Sequence, residues 1–271
     1  MIWTAGHPLQ NGKYIIEAVI GQGFSGIIYK AREASFACPV AIKTPKPDPN
    51  SEKFIQRLLE EGRLLTDLAR DPHPHIVGIR DRFQEGAIHC LLMDFVPGET
   101  LSQRVKRQGA LLEAEALRYI RQIGDALMFM HRLELTHCDA QPHNIILRPG
   151  LSPSQSSAVL IDFGIAKALG SAPLGSTEKA GNREFAPYEQ LHQGNWEPTV
   201  DVYGLAASLY YAVTGLRPVA ARDRKLNGVP LVPPEEILPE ICDRTHRAIL
   251  AGMALDPKDR PPSMQAWLDL L

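Results

Sequence analysis

HCDAQPHN, His137 to Asn144, followed by LIDFG at Leu160 to Gly164, decides how the rest of the chain is read. The two runs set an aspartate (Asp139), an asparagine five residues later (Asn144) and a second aspartate (Asp162) in the order used by a phosphoryl-transfer site. One carboxylate can orient or deprotonate a hydroxyl. The asparagine amide oxygen and the other carboxylate supply hard oxygen ligands suited to Mg²⁺. Taken singly, each acid would be a turn or capping residue; the joint spacing argues against that.

The bulk numbers narrow the field. A chain of 271 residues can form one large domain or two closely packed lobes, and 44% hydrophobic with 22% charged residues is ordinary for a soluble globular protein. The net charge of −2 gives no electrostatic reason to expect nucleic acid or an anionic membrane as partner. Cys38, Cys90, Cys138 and Cys242 are scattered, without metal-ligand spacing, and read as reduced thiols. The N-terminal MIWTAGHPLQNGKY is too polar for a signal peptide. The longest apolar stretch, Val202 to Leu216, falls short of the roughly 20 residues that a membrane helix needs, and predicts a helix buried all round. A cytoplasmic protein is expected.

Outward from the opening runs, the first ninety or so residues predict mainly strands: YIIEAVIGQG, GIIYKARE and PVAIKTP, then HIVGIRDRF and AIHCLLMDFV. Between them, Phe54, Ile55, Leu58, Leu59, Leu65 and Leu68 recur at helical spacing. VPGETL, Val96 to Leu101, breaks the pattern, and a mostly helical remainder follows, with a long amphipathic helix in EAEALRYIRQIGDALMFMHRL. Further helices are expected near 200–214, 241–254 and 263–271, and SPSQSS at 152–157 reads as a polar loop. The expected organisation is a strand-rich lobe over 1–93, a hinge at 94–98 and a helical lobe over 99–271.

Other runs carry chemistry only in combination. GQGFSG, Gly21 to Gly26, lets backbone approach a phosphate closely, yet alone it is more often a plain glycine-rich hairpin. VAIK places Lys43 in an apolar strand, where a lone lysine is usually just solvated. Two acids on the following helix, Glu60 and Glu61, are candidate partners for Lys43. Glu61 is favoured because Leu65 and Leu68 follow it at i+4 and i+7 on the core-facing stripe. Downstream come LLMDFV, FAPYEQ at 185–190, DVYGLAASLYYAVTG at 201–215 and DPKDRPP at 256–262.

In this order the runs resemble the catalytic domain of bacterial, eukaryotic-like (Hanks-type) serine/threonine protein kinases, over essentially the whole chain. The resemblance implies an α+β, bilobal protein-kinase-like fold: a small antiparallel β lobe with one main helix, and a larger, mostly α-helical lobe. It implies ATP and Mg²⁺ as cofactors and a protein as substrate. Asp139 would be the catalytic base, Lys43 the phosphate contact held by Glu61, and Asn144 and Asp162 the metal ligands. Gly21, Gly23 and Gly26 would cover the phosphates. Ile28, Ala41 and Ile146 would line the adenine slot, Met93 would close its back, and the backbone of Asp94 to Val96 would pair with the adenine edge. His137 and Phe163 would stack with Leu65 and Ile79 above Asp201, and Glu189 would pair with Arg260. The chain ends soon after Arg260, as expected of a nearly minimal catalytic unit, and it carries no signature of an oligomeric state.

Three positions depart from the family pattern. Cys138 replaces the arginine that receives a phosphorylated activation-loop residue, so loop phosphorylation is not expected to be required. Gln141 replaces a lysine that touches the transferring phosphate, and an amide supplies no positive charge. Asn182 replaces a threonine of the same network. Because Lys43, Asp139, Asn144 and Asp162 are all kept, an active Ser/Thr protein kinase is the leading expectation. Two alternatives stay open: a nucleotide-binding, pseudokinase-like scaffold, and a small-molecule kinase of the aminoglycoside or choline type. Ser171, Ser176 and Thr177 are candidate autophosphorylation sites.

Overall fold

The β-branched runs at the start of the chain pair into one antiparallel sheet in the computed structural model, which describes residues 2–23, 26–46, 51–164, 166–168, 183–192 and 196–271. The chain divides into two units, one of Met1–His73 with Val77–Val96, the other of Pro74–Ile76 with Pro97–Leu271.

In the first unit the strands are β1 (Pro8–Leu9), β2 (Tyr14–Gln22), β3 (Ile27–Glu33), β4 (Pro39–Thr44), β5 (Ile79–Glu85) and β6 (Ile88–Asp94), in the spatial order β1-β2-β3-β4-β6-β5. Alternation sends Tyr14, Ile16, Ile27, Tyr29, Ala31, Val40 and Ile42 to one face, where Trp3, Leu9, Cys90 and Leu92 complete a core. Strand β4 is interior to the sheet and buried from Val40 to Thr44. Helix α1 (Ser51–Leu68) buries Phe54, Leu58, Glu61, Leu65 and Leu68. These positions are spaced by four, three, four and three, so Glu61 sits within the apolar stripe of its own helix.

The second unit opens with β7 (Glu99–Thr100) and α2 (Leu101–Gln108). Thr100 caps α2 through its hydroxyl, which accepts from Gln103 N at 3.1 Å, while Gln103 Oε1 accepts from Thr100 N at 2.8 Å. Helix α3 (Glu113–Arg132) follows, then β8 (Leu135–Thr136), β9 (Ile145–Arg148), β10 (Ser157–Leu160) and β11 (Lys167–Ala168). After the short α4 (Tyr188–His192) comes α5 (Thr199–Thr214), buried at every residue from Val200 to Val213, as its apolar run predicts. Helices α6 (Ala221–Leu226), α7 (Pro234–Ile237), α8 (Asp243–Gly252) and α9 (Met264–Leu268) complete the unit. A Cβ on Gly252 would come within 2.5 Å of Ala206 Cβ, so only glycine lets α8 lie this close to α5. Among the described residues no helix is long and apolar enough to cross a membrane.

Two features are not foreseen in the sequence. Within the mostly helical remainder, β10, β9 and β7 form a small sheet, and β11 pairs with β8. Residues 74–76, expected in the strand-rich lobe, group with the second unit. There, Leu160 N donates to His75 O at 2.8 Å, His75 Nδ1 meets Ala158 O at 2.8 Å, and Ile76 bridges Leu160 in parallel. Backbone pairing, invisible in a three-residue window, decides the matter.

Candidate active site

Lys43 and Glu61 meet in the first unit. Their pairing follows from the strand and helix described above: Lys43 is on β4, opposite Ile28 of β3 and Leu91 of β6. Its Nζ donates to Glu61 Oε1 at 2.8 Å and Oε2 at 2.7 Å, and each side chain is only 2% exposed. Glu60, the other candidate, is exposed.

Gly21 lies near the end of β2, paired with Ile28 of β3, and Gly23 and Gly26 lie between β2 and β3, not before a helix. Gly23 N donates to Gly26 O at 3.0 Å. Their steric demands differ. A Cβ on Gly26 would fall 2.1 Å from Thr44 O, whereas one on Gly23 would meet nothing within 4 Å. Ala41 is buried and lies opposite buried Met93 across β4 and β6, and Ile28 is half-buried. Asp94 N donates to Gly78 O at 2.8 Å, and its carboxylate accepts from Arg80 Nε at 2.6 Å; Val96 is buried. Leu65 is buried and Ile79 half-buried in this unit.

The second unit holds the two acidic loops. β9 and β10 form a hairpin in which Ile145 faces Leu160, so Asn144 and Ile161 leave it at the same end. Ile161 N donates to Asn144 O at 2.8 Å, tying the loops together. Asp139 accepts on both carboxylate oxygens, from Gln141 Nε2 at 2.6 Å on Oδ1 and from Asn144 Nδ2 at 2.7 Å on Oδ2. Asp162 Oδ1 accepts from Gly164 N at 3.2 Å. Cys138 (φ 66°) and Asp162 (φ 61°) both have left-handed backbone, a conformation costing a non-glycine residue about 1–3 kcal/mol and common at functional sites. Ile146 is half-buried on β9.

That strained backbone is held from several sides. Asp201, at the start of α5, accepts from His137 N at 2.9 Å and Cys138 N at 2.7 Å, and also meets His131 Nε2 of α3 at 2.9 Å. Cys138 O accepts from Gln190 Nε2 at 2.7 Å, and Ala140 O from Ser208 Oγ at 3.0 Å. Asp139 N donates to His137 Nδ1 at 3.2 Å. Burial holds the pKa of His137 below its ordinary value. A neutral ring that accepts at Nδ1 keeps its proton on Nε2. The His137 and Phe163 rings meet edge to face at 4.8 Å.

Glu189 pairs with Arg260 through both Nη atoms, the side chains 2% and 0% exposed, and Arg260 also donates to the carbonyls of Ala254, Leu255 and Thr199. His131, Gln190 and Ser208 were not singled out from the sequence. Gln190 sits within FAPYEQ and Ser208 within the buried helix, but nothing in either run says that its side chain turns back to the catalytic loop. Asn182, Ser171, Ser176 and Thr177 lie outside the described residues, as do Phe24 and Ser25 of the glycine turn.

The donor set can be tested for Mg²⁺. Among the described residues no group of three or more His, Cys, Asp or Glu could hold a metal ion. Asn144 spends its amide nitrogen on Asp139, which leaves its carbonyl oxygen, together with the Asp162 carboxylate, as a candidate ligand. Two protein oxygens suit a cation that keeps waters and takes further ligands from phosphate, so the residues fit Mg²⁺.

Comparisons with known proteins agree with this geometry. The chain is similar to the serine/threonine-protein kinase PknA of Mycobacterium tuberculosis, 33% identical over 217 residues that cover 78% of this chain and 48% of that protein. It is similar also to PrkC of Bacillus subtilis, 32% identical over 210 residues covering 77% and 31%, and to pkn3 of Myxococcus xanthus, 30% identical over 271 residues covering 94% and 48%. The chain spans about half the length of these relatives or less. A solved structure titled "PpkA-294 apo form" superposes with a TM-score of 0.79 at 24% identity, covering 100% of this chain and 99% of that one, which shows the bilobal kinase fold. The sequence model described as "Protein kinase domain" matches residues 14–263. Because that match takes in both units, from the glycine turn to the Glu189–Arg260 pair, the chain belongs to the protein kinase domain family.

Proposed function

We propose that this chain is an ATP- and Mg²⁺-dependent protein kinase that transfers the γ-phosphoryl group to serine or threonine hydroxyls of protein substrates. The observation that carries the reading is the Asp139 carboxylate, aimed by one amide on each oxygen within a loop whose backbone is pinned on several sides. Such a carboxylate is set to orient the acceptor hydroxyl and take its proton, an effect worth about 10²–10⁴-fold in rate. The kinase names of the relatives support the reaction class.

The remaining residues take complementary roles. Lys43, held by Glu61, contacts the nucleotide phosphates, over which Gly21, Gly23 and Gly26 bring backbone close. Asn144 and Asp162 hold Mg²⁺, which when bound neutralises phosphate charge. In the first unit, Ile28 and Ala41 give the adenine apolar surface. Asp94, with its N–H engaged by Gly78, offers its carbonyl to the adenine edge, and Val96 offers its N–H.

The test is transfer of label from ATP with Mg²⁺, to the chain itself and to a generic protein acceptor, beside Asp139→Asn. Transfer that is lost in the variant is the expected result. Nucleotide binding without transfer would replace this reading with a scaffold, and transfer to small alcohols but not to protein would replace it with a small-molecule kinase.

A further inference from the structure

Gln141 stands where the family resemblance implies a lysine, and it is buried, 7% exposed. Its amide does not turn to solvent. Its backbone N donates to Asp139 O at 2.8 Å, and its side-chain Nε2 donates to Asp139 Oδ1 at 2.6 Å. The backbone of the loop is fixed independently, by Asp201 on the 137 and 138 amides, Gln190 on the 138 carbonyl and Ser208 on the 140 carbonyl. The freedom left to Asp139 is therefore rotation of its side chain, and the amides on its two oxygens act on that freedom. The other amide, of Asn144, is shared: its nitrogen serves Asp139 while its oxygen is the candidate metal ligand.

We propose that Gln141 is a positioning residue that sets the plane of the Asp139 carboxylate through an uncharged hydrogen bond. The hydrogen bond, and not a positive charge, is what this position supplies. The proposal rests on the kinase reading above. A side chain of similar volume without a donor should fail at 141, whereas lysine, which keeps a donor, should serve.

The experiment compares wild type, Gln141→Met, Gln141→Lys and Asp139→Asn by steady-state transfer from Mg-ATP to a protein acceptor. Gln141→Met should lower kcat about 10- to 100-fold, as expected for a misplaced reacting group, with KM for ATP changed by no more than about twofold. Gln141→Lys should recover kcat to within about threefold of wild type. A second readout needs no nucleotide: the side-chain amide resonance of Gln141, assigned by triple-resonance NMR, should shift on Asp139→Asn.

An unchanged kcat in Gln141→Met overturns the proposal. So does a Gln141→Lys variant as slow as Gln141→Met, or a Gln141 amide resonance indifferent to Asp139→Asn. If wild type transfers no phosphate yet the resonance shifts, the kinase reading fails while the contact between the two side chains stands. The wild-type and Asp139→Asn spectra keep the test decisive if Gln141→Met does not fold.

Discussion

Lys43 and Glu61 form a two-pronged ion pair, at 2.8 and 2.7 Å, in which neither side chain exposes more than 2% of its surface. Taking both charges out of water costs several kcal/mol per ion, and their mutual attraction offsets it only while both are present. Lys43→Met removes the cation from the buried Glu61 carboxylate and is expected to destabilise the fold by about 3–5 kcal/mol. Adding Glu61→Leu should recover most of that loss, while phosphoryl transfer stays abolished in both variants. Denaturant unfolding of the two single variants and the double variant checks this, and simple additivity would contradict it.

The glycine turn yields a contrast within one motif. Gly26→Ala forces a Cβ against Thr44 O, 2.1 Å away on the ideal position, and the backbone of β3 or β4 must give. Gly23→Ala meets open space. We expect Gly26→Ala to lower Tm by several degrees, corresponding to about 1–3 kcal/mol for an overpacked site, and Gly23→Ala to leave it near wild type. Differential scanning calorimetry of the two variants decides it.

Cys138 bears on regulation. In place of an arginine it buries a thiol whose Sγ lies 3.6 Å from Thr136 O, so position 138 offers no cation to a phosphate. Phosphatase treatment is therefore expected to leave the rate of transfer to a protein acceptor unchanged. A reversible loss on dephosphorylation would sink this expectation.

The four thiols should separate by reactivity. Cys38 and Cys242 are exposed, whereas Cys90 and Cys138 are buried. Burial pushes the Cys90 thiol up to about 12, so it stays protonated in the folded chain at any ordinary pH. A thiol reagent at pH 8 should modify Cys38 and Cys242 rapidly, and Cys90 and Cys138 only on unfolding. The linkage has a definite sign. The raised folded value contributes stability below the unfolded value near 9, and that contribution is lost as pH rises toward 12. Thiol counts with and without denaturant, and unfolding at pH 8 against pH 11, measure both.

The pairings that became legible from sequence share one property: each follows from side-chain periodicity or from motif order. Glu61 could be chosen over Glu60 because leucines at i+4 and i+7 mark the buried stripe, and Glu61 is the acid that meets Lys43. The Glu189–Arg260 pair followed from motif order alone. What escaped depends on backbone pairing over very short runs. Strand β7 has two residues and β9 has four, too few for alternation to stand out from the helices around them. The same holds for 74–76, whose allegiance is settled by main-chain bonds to Leu160. Gln141 was legible as a departure, but its contact with Asp139 was not, because residue type says nothing of which way an amide turns.

The family match begins at Tyr14, yet the folding unit begins earlier. Trp3 packs on Tyr29 at 5.2 Å and stacks on His7, Leu9 is fully buried, and Ile16 N donates to His7 O at 3.0 Å. Gln10 reaches across to Glu85 and to the carbonyl of Gln84. A chain trimmed to the homology boundary would lose strand β1 and uncover Tyr29 and Ile16. The border drawn by shared ancestry and the border drawn by the core are thus different lines, the second lying at least as far out as Trp3.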